Sequence, residues 1–260
     1  MRISISLTAV VIAAAFLGVS PSWAQGNTSG ATIIATPVPV PAHPSPGTPP
    51  YMEAWAGLGA THSFFGGWVG GVAALSPHRN VWETGFVIRG EAAIGQYDAG
   101  TNIDDVLFHG ASLMLGYRQV IGDGLLTGYV GANYETHDSD DRFATIRGTE
   151  AGVRALVEYY TRIMPSWDFY GQASYSTAFD TTFLFARSGV QLANTIWAGP
   201  ETAYFQNESD YRENRLGGFV RFEQGFFGNG ITLSGGWVNA LRSRDEDGWY
   251  ATLSIDFQFR

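Results

Sequence analysis

The sequence predicts an all-β fold, an antiparallel transmembrane β-barrel of the outer membrane with about twelve strands, ten being the alternative count. Three observations carry that prediction. An export signal opens the chain, and no later apolar run is long enough for a membrane helix. Short segments of alternating polarity fill the remainder. Where charges occur in those segments, Arg and Glu recur together on the side away from the apolar stripe. Lipid cannot satisfy open strand edges, so strands that span a membrane must close into a barrel.

The three parts of the chain follow in order. Residues 1–24 read as a signal peptide: Arg2, an apolar run from about Leu7 to Val19, and the small-residue ending Ser22-Trp23-Ala24. Residues 25–50 are rich in Pro, Thr, Ser and Gly, with Pro37, Pro39 and Pro41 at their centre. Repeated prolines remove backbone donors and favour polyproline II, so this part reads as a disordered, extended periplasmic lead-in. Residues 51–260 are the barrel.

Within it, alternating segments fall near 51–62, 66–76, 84–97, 106–120, 124–136, 146–162, 166–177, 181–190, 195–205, 213–224, 230–241 and 248–259. The last is the clearest. Trp249, Ala251, Leu253, Ile255, Phe257 and Phe259 share one side, while Tyr250, Thr252, Ser254, Asp256 and Gln258 share the other. About 9 to 11 residues let a tilted strand cross a bilayer. A soluble sandwich strand shows the same period, so the other segments decide. An even strand count places both ends of the barrel-forming chain in the periplasm. Short turns are then expected at Gly122-Asp123-Gly124, Met164-Pro165-Ser166 and Phe227 to Gly230. Longer acidic outer loops are expected at 98–105, 136–145, 206–212 and 242–247. Ser63 to Gly66 and Ala178 to Asp180 are short for outer loops, and Pro77 to Glu83 is long for a periplasmic turn.

Face assignment gives the candidate interior. Phe86, Ile88, Ala92 and Ile94 oppose Arg89 and Glu91. Val153, Ala155, Val157 and Tyr159 oppose Glu150, Arg154 and Glu158. Leu216, Val220 and Phe222 oppose Arg221 and Glu223. In a barrel these seven charged residues form a polar network in the lumen, with Arg paired to carboxylate. Tyr129, Tyr170, Phe219 and Tyr250 also face inward, either as stacking surfaces for sugar rings or as filling for a narrow barrel.

Little else suggests chemistry. Zero cysteines exclude disulfides and thiolate metal sites. The five histidines lack metal-ligand spacing, and His62 and Ser63, as strand neighbours, point to opposite faces. The acidic runs Asp138 to Asp141 and Asp245 to Asp247 read as solvated loops, with weak calcium binding as the alternative. All fifteen basic residues are Arg, and a net charge of −9 argues against nucleic acid as a partner. No catalytic residue, cofactor or metal is expected.

One segment has a family look. Trp197-Ala198-Gly199-Pro200-Glu201, then Asn207 and Tyr211, then Arg215, Gly217 and Gly218, resembles the cellulose biosynthesis protein BcsS family; Gly171 to Ser176 is similar as well. These are small exported proteins encoded with bacterial cellulose-synthesis systems. Gln206-Asn207 stands where such proteins commonly have Gly-Asn. The resemblance implies an outer-membrane accessory to cellulose or other exopolysaccharide production or export, surrounded by lipid, with cellulose or cellulose-synthase components as partners. It brings no catalytic residues. A small passive channel and a lipid-modifying barrel enzyme are the alternatives. Independently of the resemblance, Pro200 is expected at a bulge or strand end, with Gly199 allowing a kink that aims Glu201 into the lumen.

Overall fold

The computed structural model describes residues 28–29, 50–76, 78–97, 99–100, 106–139, 146–208, 211–223, 230–241 and 247–259. The expected signal peptide, most of the lead-in and the acidic stretches 140–145 and 242–246 lie outside them. Twelve antiparallel strands close into one barrel: β1 (Met52–Thr61), β2 (Phe64–Ala74), β3 (Gly85–Tyr97), β4 (Val106–Ile121), β5 (Gly124–Asp138), β6 (Gly148–Met164), β7 (Trp167–Ser176), β8 (Thr181–Ala193), β9 (Ile196–Gln206), β10 (Arg212–Phe222), β11 (Gly230–Ala240) and β12 (Gly248–Phe259). Each pairs with its neighbour in sequence, and β12 closes the ring on β1 from Tyr250↔Thr61 to Phe259↔Met52. All twelve predicted segments are strands, and the count of ten is set aside.

Parity fixes what faces out. On β12, Trp249, Ala251, Leu253 and Phe259 are exposed, while Tyr250, Ser254 and Asp256 are buried. Exposed rings gather at two levels. Phe65, Tyr134, Tyr175, Trp237 and Trp249 lie toward one end, and Phe86, Tyr117, Trp167 and Phe259 toward the end that carries Met52. Leu58, Leu113, Val130, Val157, Leu184, Leu216, Leu233 and Leu253 lie between them. From Trp249 to Phe259 a strand tilted by about 40° rises about 25 Å, the height of the apolar band of an outer-membrane barrel between its aromatic girdles. The exterior is built for lipid.

Two of the three exceptions to the loop-length rule, the β2–β3 and β7–β8 connections, reach into the barrel. At the terminal end, the long β2–β3 connection buries Val81 completely; its carbonyl accepts from Arg118 Nη1, and its N–H donates to Pro50 O at 2.9 Å. Trp82 follows it inward, edge-on to Tyr160 with centroids 6.2 Å apart. At the distal end, the short β7–β8 turn carries Phe179 and Asp180 at φ 51° and 46°. Two consecutive non-glycine residues in the left-handed region are strained, and persist only where the surroundings hold them. Here Phe179 is driven into the mouth against His137, 4.6 Å between centroids, beside Ala178 and Ile146. Glu150 Oε2 accepts from the Phe179 N–H at 2.8 Å, and the Phe179 carbonyl accepts from Glu208 N–H at 2.9 Å. Length alone failed to assign these connections because they are plugs as well as links.

The lead-in departs from expectation at two residues. Thr28–Ser29 pair antiparallel with Ala99–Gly100 in the β3–β4 connection, at the end away from Met52. Neither is proline, so their backbone donors are free to pair, unlike those removed from Pro37 onward.

Inside, bulky rings lie flat on inward glycines. Trp55 pairs across β1 and β2 with Gly70, and Trp68 with Gly57. A Cβ at Gly70 would fall 2.5 Å from the Trp55 ring, and one at Gly57 2.3 Å from the Trp68 ring. Valine at either glycine must displace an indole from a packed interior, at an expected cost of about 1 to 3 kcal/mol. The check is urea unfolding of the refolded barrel in lipid: an unchanged midpoint would show that the rings do not seat there.

Candidate functional site

The lumen is the candidate site, and the strand parity described above aims its residues. Arg89 on β3 is its central group. Its Nε donates to Glu91 Oε1 at 2.8 Å, its Nη1 reaches across to Glu158 Oε1 on β6 at 2.6 Å, and its Nη2 also meets Glu91. Arg154 Nη1 donates to the second oxygen of Glu91 at 3.0 Å, and Tyr170 OH donates to Glu158 at 2.8 Å. The Arg89 guanidinium also lies over Trp55 and Tyr129, at 4.9 and 5.3 Å from the ring centroids. Charged groups taken out of water are stabilised by this combination of paired charge and π face. Four of the seven predicted network residues, Arg89, Glu91, Arg154 and Glu158, thus meet in one cluster.

Arg221 and Glu223 meet in a second, where Arg221 Nη2 lies 2.5 Å from Asp168 Oδ2 and 3.3 Å from Glu223 Oε1. Trp197 packs 5.2 Å beneath the guanidinium. Glu150 joins neither cluster. It anchors the β7–β8 plug instead, because its place near the distal end of β6 brings it under that turn.

The family-like segment supplies a third group. Glu201 is buried and accepts from Ser234 Oγ and Tyr250 OH, each at 3.0 Å, with Arg187 Nη2 at 3.6 Å. Arg187 itself lies between Phe185 and Phe219, at 4.8 and 4.9 Å. Gly217 gives the Tyr250 hydroxyl its passage, since a Cβ there would fall 2.3 Å from that oxygen. Pro200 corrects the expectation: it sits mid-strand, not at a bulge or an end. Its register with β10 is unbroken through Pro200↔Gly218. Pairing with β8 skips from Arg187↔Glu201 to Val190↔Ala198 without a shift, which accommodates the missing N–H. Gly199 is needed for close approach, its Cβ position lying 1.9 Å from the Ser188 carbonyl oxygen.

Asn207 and Tyr211 lie apart from Gly199, Pro200 and Glu201, where they close the distal β9–β10 connection through Asn207 N–H to Tyr211 O at 3.2 Å. Tyr211 OH then donates to Glu213 at 2.6 Å, and Arg215 Nε donates to the same carboxylate at 2.7 Å. In that connection, partial burial followed by the nearby Glu150 and Asp180 raises the Glu208 carboxyl above its ordinary pKa. Sequence reasoning passed over Arg118, Asp168, Arg187 and Glu213, and named Arg215 for the family resemblance without placing it in the lumen. Each has the inward parity of its strand, so the signal was present. The cross-lumen partner of each was not.

The four inward rings named as sugar platforms or filling are filling. Tyr129, Tyr170, Phe219 and Tyr250 are all buried, and all contact the arginine–carboxylate groups. Among the described residues no cluster of His, Cys, Asp and Glu could hold a metal ion.

A closed antiparallel barrel with a lipid-facing band and a charged, ring-packed interior defines an outer-membrane-type β-barrel whose lumen is filled by its own side chains. The chain belongs to the cellulose biosynthesis protein BcsS family, whose model matches residues 54–259. No curated protein matches it in sequence. Similar solved structures include a KdgM porin at 7% identity, with 80% of this chain and 99% of that one covered and a TM-score of 0.49. LpxR from Salmonella typhimurium is 10% identical over 80% of this chain and 100% of that one, TM-score 0.47. A TodX deltaS2S3 mutant monoaromatic hydrocarbon channel is 9% identical over 90% and 96%, TM-score 0.47. The architecture of this chain rests on its own strand pairing.

Proposed function

We propose that this protein is a non-enzymatic outer-membrane accessory of cellulose or related exopolysaccharide production, acting on the polymer or its machinery once these reach the outer membrane. Membership of the cellulose biosynthesis family is the observation that carries this reading. The fold is consistent with it. Polymerisation needs a nucleotide-sugar site, and the described chain is strand almost throughout, with a three-residue 3₁₀ turn as its one helical element. In this reading the chain is exported by residues 1–24, the Met52 end lies in the periplasm, and lipid surrounds the strands.

The filled lumen favours an accessory over an open conduit. Trp55, Arg89, Tyr129, Glu158 and Tyr170 cross the interior in contact with one another, and Trp82 and Phe179 close in from the two ends. Deleting the gene is expected to lower bound cellulose dye in cellulose-producing cells, with restoration on complementation, while isolated membranes still synthesise the polymer in vitro. Unchanged dye binding, together with steady ion conductance of the purified barrel in planar bilayers, would transfer the protein to the passive-channel class.

A further inference from the structure

Between the Arg89 cluster and the Phe179 plug the lumen keeps a cavity of about 60 Å³, spanning β3 to β9. That is room for about four to six water molecules. Its polar lining includes Ser112, Asn133, Glu135 and Arg154, and its apolar lining includes Phe108 and Phe183. Glu135 is 9% exposed; Oε1 accepts from Asn133 Nδ2 at 2.7 Å, while Oε2, also buried, has no partner among the described residues. A buried carboxylate oxygen left without a donor is costly, and marks a position that a bound donor would satisfy.

We propose that this cavity is a binding subsite for one neutral pyranose ring of a glucan. An anion would meet Glu91 and Glu135 in the same wall. A hydrocarbon would leave the Glu135 oxygen unmet. A sugar ring offers hydroxyl donors to Glu135, acceptors to Arg154, and an apolar C–H face to Phe108 and Phe183. The choice of glucan rests on the cellulose reading above; the preference for a sugar ring rests on the lining alone.

The test is calorimetric titration of the refolded barrel in detergent with cellobiose, and with maltose as a second arm. Wild type should bind cellobiose. Glu135→Gln, which keeps the shape but weakens the acceptor, should lower affinity at least fivefold, and Ser112→Leu, which fills the cavity, should abolish binding. Heat-shifted gel mobility checks that each variant is a closed barrel; if Ser112→Leu does not close, Glu135→Gln decides. Equal binding of maltose supports a sugar-ring site without linkage preference. No binding by wild type, or equal affinity in wild type and Glu135→Gln, overturns the proposal. Reduced dye binding in the deletion strain would still stand in that event, so failure of the subsite and failure of the accessory role are separable.

Discussion

Replacing Arg89 with alanine should lower the stability of the refolded barrel by about 3 to 5 kcal/mol, the cost of leaving buried carboxylates without their cation. Arg89 is 1% exposed and its three guanidinium nitrogens all donate, to Glu91 and Glu158. Removing it also empties the space between the Trp55 and Tyr129 rings. The double variant Arg89→Met, Glu158→Gln removes one of the stranded charges and refills the volume, so it should recover part of the loss. Urea unfolding in lipid vesicles measures both. The magnitude is diagnostic of the lumen: in a water-filled channel the same pair would be screened and worth about 0 to 1 kcal/mol. A loss that small would mean an open, wet interior, and would count against the packed barrel on which the accessory reading leans.

The strands were legible because a barrel wall obeys a period of two with lipid on one side, a local rule. Arg89 and Glu91 could be placed inward from their neighbours Phe86, Ile88 and Ile94 alone. What joins them to function was not local. The partner of Arg89 on β6 lies 69 positions away, and only closure of the ring brings it within reach. The plugs were illegible for another reason. Phe179 adopts a left-handed backbone that no propensity favours, held by Glu150 from β6 and Glu208 from the β9–β10 connection. Pro200 misled because its missing donor was assumed to need a bulge, whereas the ladder to β8 drops two residue pairs and keeps its register. The cavity beside Glu135 is a remainder of packing among seven strands, which no single stretch of sequence encodes.

Arginine at Leu253 should destabilise the barrel by about 2 to 4 kcal/mol, the penalty for a lipid-facing charge near the bilayer midplane. Leu253 lies between the exposed rings of Trp249 and Phe259, and its cross-strand partners Leu233 and Leu58 are also exposed, at 48% and 40%. Those three leucines form an apolar row around the wall at mid-height, so the new guanidinium has no aqueous boundary within easy reach. Arginine at Thr252, one residue away, turns inward. Its partners there are Ser234 and Gly59, both small, and Glu201 already accepts from the neighbouring Ser234. That variant gains a carboxylate within the same group of side chains and should lose less. Ser254 is the poorer control, being buried beside the fully packed Thr232, where added volume is itself costly. Unfolding of both variants in lipid vesicles decides the matter. Equal losses at 252 and 253 would mean that the two faces are not lipid and lumen, and the membrane reading of the whole wall would fail with them.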